Sequence, residues 1–208
     1  MKKVDLTKTD KAYYTAKTEP HIVEIGACRY LSIVGKGDPS EEMFSKNIAA
    51  LYSTAYTIKF QMKEKQMDFV VPKLEGLWWF DEIRFPNQTI ESSAVEVPRS
   101  EWEYRLLIRI PDFVTKEDVE SGKELALKKK KDVKVKDVEY FEMNEGTSVQ
   151  MMHIGPFSTE RESLRQIEAF MNGHHLKRGG HHHEIYLSDF RKTAPDKLKT
   201  ILREPFVK

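Results

Sequence analysis

The sequence predicts an α+β protein made of a duplicated strand-helix-strand-strand unit with pseudo-twofold symmetry, its antiparallel sheets covered by helices on one face and a cleft between the halves. Three observations carry this. Apolar residues recur at helical spacing in two places, each after a strand-like run and a Gly/Pro break. Each helical stretch is followed by a short apolar run holding one acid, Leu74-Glu75-Gly76-Leu77-Trp78 in the first half and Glu184-Ile185-Tyr186-Leu187 in the second. The order of elements is the same in both halves, although their residues are weakly alike.

The elements follow in turn. Residues 1–20 are polar and Lys-rich, end at Pro20 and read as a flexible lead-in, too short for a helix-turn-helix reader. Residues 21–34 are strand-like, and Gly35 and Gly37 break them. Asp38-Pro39-Ser40-Glu41 predicts a helix start, with the helix running over 39–66 behind a stripe of Phe44, Ile48, Leu51, Tyr52, Ala55 and Met62. Residues 67–80 read as a strand, 81–100 as a loop (Pro86, Asn87, Pro98) and 102–110 as a strand stopped by Pro111. Thr115 opens a helix over 115–131 that runs out into four lysines, a solvated end.

In the second half, 138–143 and 147–154 read as strands joined by a turn at Asn144-Glu145-Gly146. Gly155-Pro156 precedes a helix with Leu164, Ile167, Phe170 and Met171 on one face and Gly173 as its stop. Strands at 183–187 and 198–203 close the chain, the last ended by Pro205. The repeats thus cover about 21–112 and 135–206 of a single domain spanning 21–208.

Composition narrows the function classes. Lys+Arg is 34 and Asp+Glu 33, so a net charge of +1 gives no general pull toward nucleic acid or anionic membrane. Neither direct DNA binding nor membrane insertion is expected, since no window approaches the ~20 apolar residues of a bilayer span. No apolar stretch follows the basic N-terminus, and the single cysteine, Cys28, permits no internal disulfide, so a cytoplasmic protein is expected. Cys28 reads as a small buried residue because no base lies beside it in sequence. His181-His182-His183 lacks the ligand spacing of a zinc site and reads as surface turn histidines, so no metal and no cofactor is expected. No phosphate-binding loop, dinucleotide fingerprint or nucleophile elbow is present.

The two acids are the chemical signal. Burying an unpaired carboxylate costs several kcal/mol, so a cation, a hydrogen-bond donor or a ligand must compensate. Strand alternation places Glu184 and Tyr186 on one face and Ile185 and Leu187 on the other, and groups Glu75, Leu77 and Trp79 opposite Trp78. Gly76 is read as a possible bulge that weakens the case for Glu75. The plain structural alternative is a strand-end ion pair with Arg105 or Arg109. Trp78, Trp79, Trp102, Tyr52, Tyr56 and Tyr186 are candidate ring walls for a small aromatic or lipophilic ligand, and Phe157 and Met151 are added to that wall. For any one ring, ordinary core packing is the alternative.

Residues 20–206 resemble the GyrI-like small-molecule-binding family. The resemblance is carried by Gly35-Lys36-Gly37-Asp38-Pro39, Leu74-Glu75-Gly76-Leu77-Trp78-Trp79, the run from Leu107 to Phe113, His153-Ile154-Gly155-Pro156-Phe157 and, most specifically, the run from His183 to Thr200. Phe190 departs from the proline usual in relatives. The resemblance implies the duplicated fold and a buried glutamate at Glu184 that faces lipophilic cations in multidrug-responsive regulators. It also implies a stand-alone member, similar to relatives that hydrolyse cyclopropane-bearing DNA-alkylating compounds for detoxification, with Glu184 and Tyr186 as catalytic residues; the internal duplication makes a monomer the expectation. Non-catalytic sequestration of lipophilic or cationic drugs, or modulation of gyrase, are the alternatives it leaves open.

Overall fold

The computed structural model describes residues 3–130 and 133–207. Two short helices, α1 (Leu6–Thr9) and α2 (Lys11–Tyr14), lead into β1 (His21–Lys36), α3 (Glu42–Glu64), β2 (Leu74–Trp79), α4 (Ile90–Glu96) and β3 (Glu103–Ile110). The chain continues through α5 (Lys116–Lys130), β4 (Glu139–Ile154), α6 (Glu160–Gly173), a short β5 (Lys177–Arg178), β6 (His182–Tyr186) and β7 (Lys199–Val207). The repeat is therefore β1-α3-β2-β3 followed by β4-α6-β6-β7, as the element order predicts.

The two expected sheets are one. Strands run in the order β4-β1-β3-β2-β6-β7-β5, and β4 also pairs with β7, so all but β5 close into an antiparallel barrel. Closure depends on β1 and β4, each 16 residues long, which are long enough to pair with two neighbours apiece. The sequence divides β4 at Gly146, but that residue (φ +69°) bends the strand while it stays paired with Ile25. Likewise β7 runs through Pro205, which sits opposite Ser148, instead of ending there.

Helices pack on the outer face of the barrel, in two groups. Leu51, Ile58 and Met62 of α3 pack on Leu31, Ile33 and Leu106 of the sheet, all with no solvent exposure. Under α6 lie Val149, Met151, Leu164, Ile167, Met171 and Leu202, the helix contributing positions spaced three and four apart. Helix α3 starts at Glu42, and the Asp38 side chain instead accepts from the Ser40 amide (2.8 Å) in the turn before it. The expected loop over 81–100 contains α4, whose Thr89 and Ser92 exchange capping hydrogen bonds. Of the expected strand over 67–80 only β2 forms; Phe69 packs into the core, with Val4 bridged to it. Lys131, the last of the lysine run, lies outside the described residues.

The N-terminal segment differs from the flexible lead-in expected. Its polar composition hides two tyrosines, Tyr13 and Tyr14, that α2 inserts into the barrel, where both are buried. Two buried tyrosines offset the ordering of this segment in a way that mean polarity does not register.

Candidate functional site

Strand β6 carries opposite chemistry on its two faces. His183 and Ile185 point into the barrel, and His182, Glu184 and Tyr186 point outward, toward the gap between α3 and α6. Glu184 pairs with Gly76 of β2 in an unbroken register, so no bulge occurs there. A Cβ at position 76 would lie 2.9 Å from Trp78 Nε1 and 3.1 Å from the Tyr186 hydroxyl. The glycine thus leaves the room in which Trp78 Nε1–H donates to Tyr186 (3.1 Å). The Phe157 ring meets Tyr186 edge-on at 5.9 Å.

Tyr186 closes one end of a cavity of about 1200 Å³. Its aromatic walls are Tyr52, Tyr56 and Phe60 of α3 and Phe190 of the following loop, with Tyr52 and Tyr56 stacked at 6.3 Å. Four cations, Lys73, Lys129, Arg191 and Lys192, surround it with one acid, Asp189, already held by Arg191 (3.0 Å). Glu184 stands beside Tyr186 but outside the cavity lining, its side chain 14% exposed, neither sealed nor in bulk solvent. Burial, then the Glu184 charge, push the Tyr186 hydroxyl well above its ordinary pKa. Tyr186 is therefore a fixed neutral O–H, a hydrogen-bond donor and not a base.

A cation organises Glu184. His182 Nε2 forms an ion pair with Glu184 (3.3 Å), and Nδ1 donates to Glu204 (2.6 Å). Burial alone would lower the imidazole, but the Glu204 and Glu184 carboxylates carry it up to about 10. His182 is thus an imidazolium, and Glu184 lies between it and the Tyr186 hydroxyl.

The remaining expected residues lie elsewhere. Glu75 is on the inner face, fully buried, accepting from Tyr13 (2.5 Å), from Tyr14 (3.4 Å) and from His183 Nε2 (3.1 Å). His183 also donates to Glu145 (2.9 Å), which Arg203 clasps at 2.8 Å. This network fills the barrel interior with two carboxylates and two cations. Burial works to raise the Glu145 carboxyl, but His183 and Arg203 hold it at about 2. His182 and His183 are therefore buried ion-pair partners and not surface turn histidines. The acids are served by histidines and Arg203; Arg105 and Arg109 pair with Glu139 and Asp10. Trp79 lies on the inner side, stacked on His181 at 4.6 Å. Trp102 buttresses Trp78 edge-on at 6.5 Å, and Met151 is core beneath α6. Cys28 is buried, as expected of it.

Sequence reasoning therefore missed His182, Glu204, Phe60 and Phe190. The alternation that pairs Glu184 with Tyr186 also places His182 on their face, a signal present in the sequence. Glu204 comes from β7, and no local pattern announces it.

Comparison with known proteins places the chain. No functionally curated protein matches it. An uncharacterized conserved protein from Listeria innocua is 40% identical, over 99% of this chain and 100% of that one, with a TM-score of 0.88. A hydrolase from Listeria innocua is 39% identical over the same shares, with a TM-score of 0.84. The C-terminal domain of EcmrR shares the fold at 12% identity, over 91% of this chain and 98% of that one, with a TM-score of 0.54. Among the described residues no helix is long and apolar enough to cross a membrane. The GyrI-like small-molecule-binding domain model matches residues 18–205, and the chain belongs to that family.

Proposed function

We propose that this protein is a hydrolase that opens strained, electrophilic rings on planar aromatic molecules, cyclopropanes conjugated to a carbonyl being the class that fits best. The observation that carries the reading is Tyr186: a neutral hydroxyl, fixed by Trp78 and Glu184, at the end of a ring-walled cavity. Stacking on Tyr52, Tyr56 and Phe190 would hold the aromatic body. Water then attacks the ring carbon, the ring C–C bond breaks, and its electron pair moves onto the conjugated carbonyl oxygen. Tyr186 donates to that oxygen as its charge grows, and Glu184 takes the proton of the water. Glu184 then returns a proton through Tyr186 to the product oxygen, so the site ends as it began. The cationic surround of the cavity favours neutral, electron-rich ligands over lipophilic cations. The name hydrolase borne by a relative at 39% identity supports catalysis over sequestration.

The test is turnover of a cyclopropane-bearing aromatic alkylator, followed by mass spectrometry for the water-added product. Tyr186→Phe and Glu184→Gln should each lower kcat by ~10²-fold or more while the ligand still binds. Ligand recovered chemically intact from the wild-type protein would replace this reading with sequestration. A Glu184→Gln protein at full rate would remove Glu184 from the mechanism.

A further inference from the structure

The chain as a whole is almost electrically balanced, with a net charge of +1, yet the cavity beside Tyr186 is not. Its lining carries Lys73, Lys129, Arg191 and Lys192 against one acid, Asp189. Glu184 lies outside that lining and does not offset them there. Asp189 is already shared: Arg191 holds it through Nε (3.0 Å) and Nη2 (3.1 Å), and Lys192 Nζ approaches at 3.8 Å. Lys73 and Lys129 take part in no ion pair among the described residues. The four cations come from places far apart in sequence: the segment before β2, the last turn of α5 and the loop after β6. Lys129 belongs to the lysine run that reads in sequence as a solvated helix end. The fold sets it, with Ala126 one turn earlier, in the cavity wall. Like charges gathered around one cavity repel each other, and an anion placed among them removes that repulsion.

We propose that the ligand of this cavity carries an acidic substituent, a carboxylate, sulfonate or phosphate on its planar aromatic body, and that Lys73 and Lys129 select for it. The inference rests on reading this cavity as the place where an aromatic body binds, and not on the chemistry done there. Stacking on Tyr52 and Tyr56 holds the rings, and the lysines hold the charge. The body that stacks stays neutral, as ring opening requires; the acid is a group at its edge. Lys73 and Lys129 are exposed, so their ammonium groups keep their charge and meet an anion as mobile point charges on flexible stems. Such contacts recognise the sign of a substituent and not its shape, so the three oxyanions form one class.

Fluorescence titration of the full chain tests this without any turnover, using anilinonaphthalene sulfonate and phenylnaphthylamine, the same rings without the sulfonate. At low ionic strength the sulfonate should bind about tenfold tighter, since an exposed ion pair is worth up to about fivefold in affinity and two lysines are offered. The preference should shrink toward parity at about 1 M salt, where such charges are screened. K73Q/K129Q should lose most of the preference by weakening the sulfonate alone. Y56A should weaken both probes, because it removes a ring they share. Equal affinity for the two probes, or no binding of either, overturns the proposal. So does a preference kept in K73Q/K129Q or in high salt, or binding of both probes that is indifferent to Y56A. A pair of cyclopropane-bearing substrates, an aromatic acid and its methyl ester, separates this from ring opening: the acid should show the lower KM at similar kcat. Equal KM values overturn the selection and leave ring opening standing. Absent turnover with the probe preference intact strikes ring opening and leaves the selection standing.

Discussion

Arg203 offers the sharpest test of the barrel interior. Its guanidinium is wholly buried, with Nη1 on Glu145 (2.8 Å), Nε on Gln150 (3.0 Å), Nη2 on the Tyr13 carbonyl (2.9 Å) and its plane over the Tyr13 ring at 4.8 Å. The interior holds Glu75 and Glu145 against His183 and Arg203, so Arg203→Met leaves one net negative charge away from bulk solvent. Breaking a buried pair from one side costs about 3–5 kcal/mol. For a chain of this length that corresponds to a fall in Tm of roughly 6–20 °C. Adding Glu145→Gln restores the count, because Glu75 and His183 then balance each other. The double variant should be more stable than the sum of the single changes by about 1–3 kcal/mol. Urea unfolding at neutral pH, followed by tryptophan fluorescence, measures both quantities. An Arg203→Met cost below about 1 kcal/mol, or two single changes that simply add, would refute the argument that the interior is held by charge balance.

Stability should be flat through mildly acidic pH and fall on both sides. The folded His182 imidazole is raised from 6.5 to about 10, so its contribution is complete below 6.5 and is lost as pH climbs through about 10. The Glu145 carboxyl is lowered from 4.5 to about 2, so its contribution is complete above 4.5 and is lost as pH falls toward 2. Urea midpoints across pH check both arms, and His182→Asn should flatten the alkaline one; an unchanged alkaline slope would contradict the assignment. Gly122→Ala should destabilise the protein, because the new Cβ would lie 2.3 Å from Ile58 Cγ1 where α5 crosses α3. Overpacking of about 1–3 kcal/mol outweighs the ~1 kcal/mol helix-propensity gain. A higher urea midpoint for this variant would contradict that close approach.

Much of the architecture was legible because it is local. The duplicated element order, the apolar faces of α3 and α6, and the placing of Glu184 with Tyr186 follow from periods of 3.6 and 2 that burial imposes on any helix or strand. The same alternation separates Glu75 from Trp78. What alternation leaves open is which face is inside. That depends on closure of β4 against β7, a contact between distant residues. Closure put Glu75 into the barrel with Tyr13 and His183, and left Glu184 beneath the gap between helices. Tyr13 illustrates the limit well: nothing near it in sequence signals that its hydroxyl meets a carboxylate 62 residues away.

By itself, then, the amino-acid order determined the repeat, the helical and strand faces, and the pairing of one acid with a tyrosine on a shared face. The partners of every buried charge were decided by tertiary structure alone, since Glu145 arrives from β4, and Arg203 and Glu204 from β7, to meet side chains of β2 and β6. The physical reason is that propensity and periodicity act over a few residues, whereas the energy of a buried charge is set by whatever the closed sheet brings within a few ångströms of it.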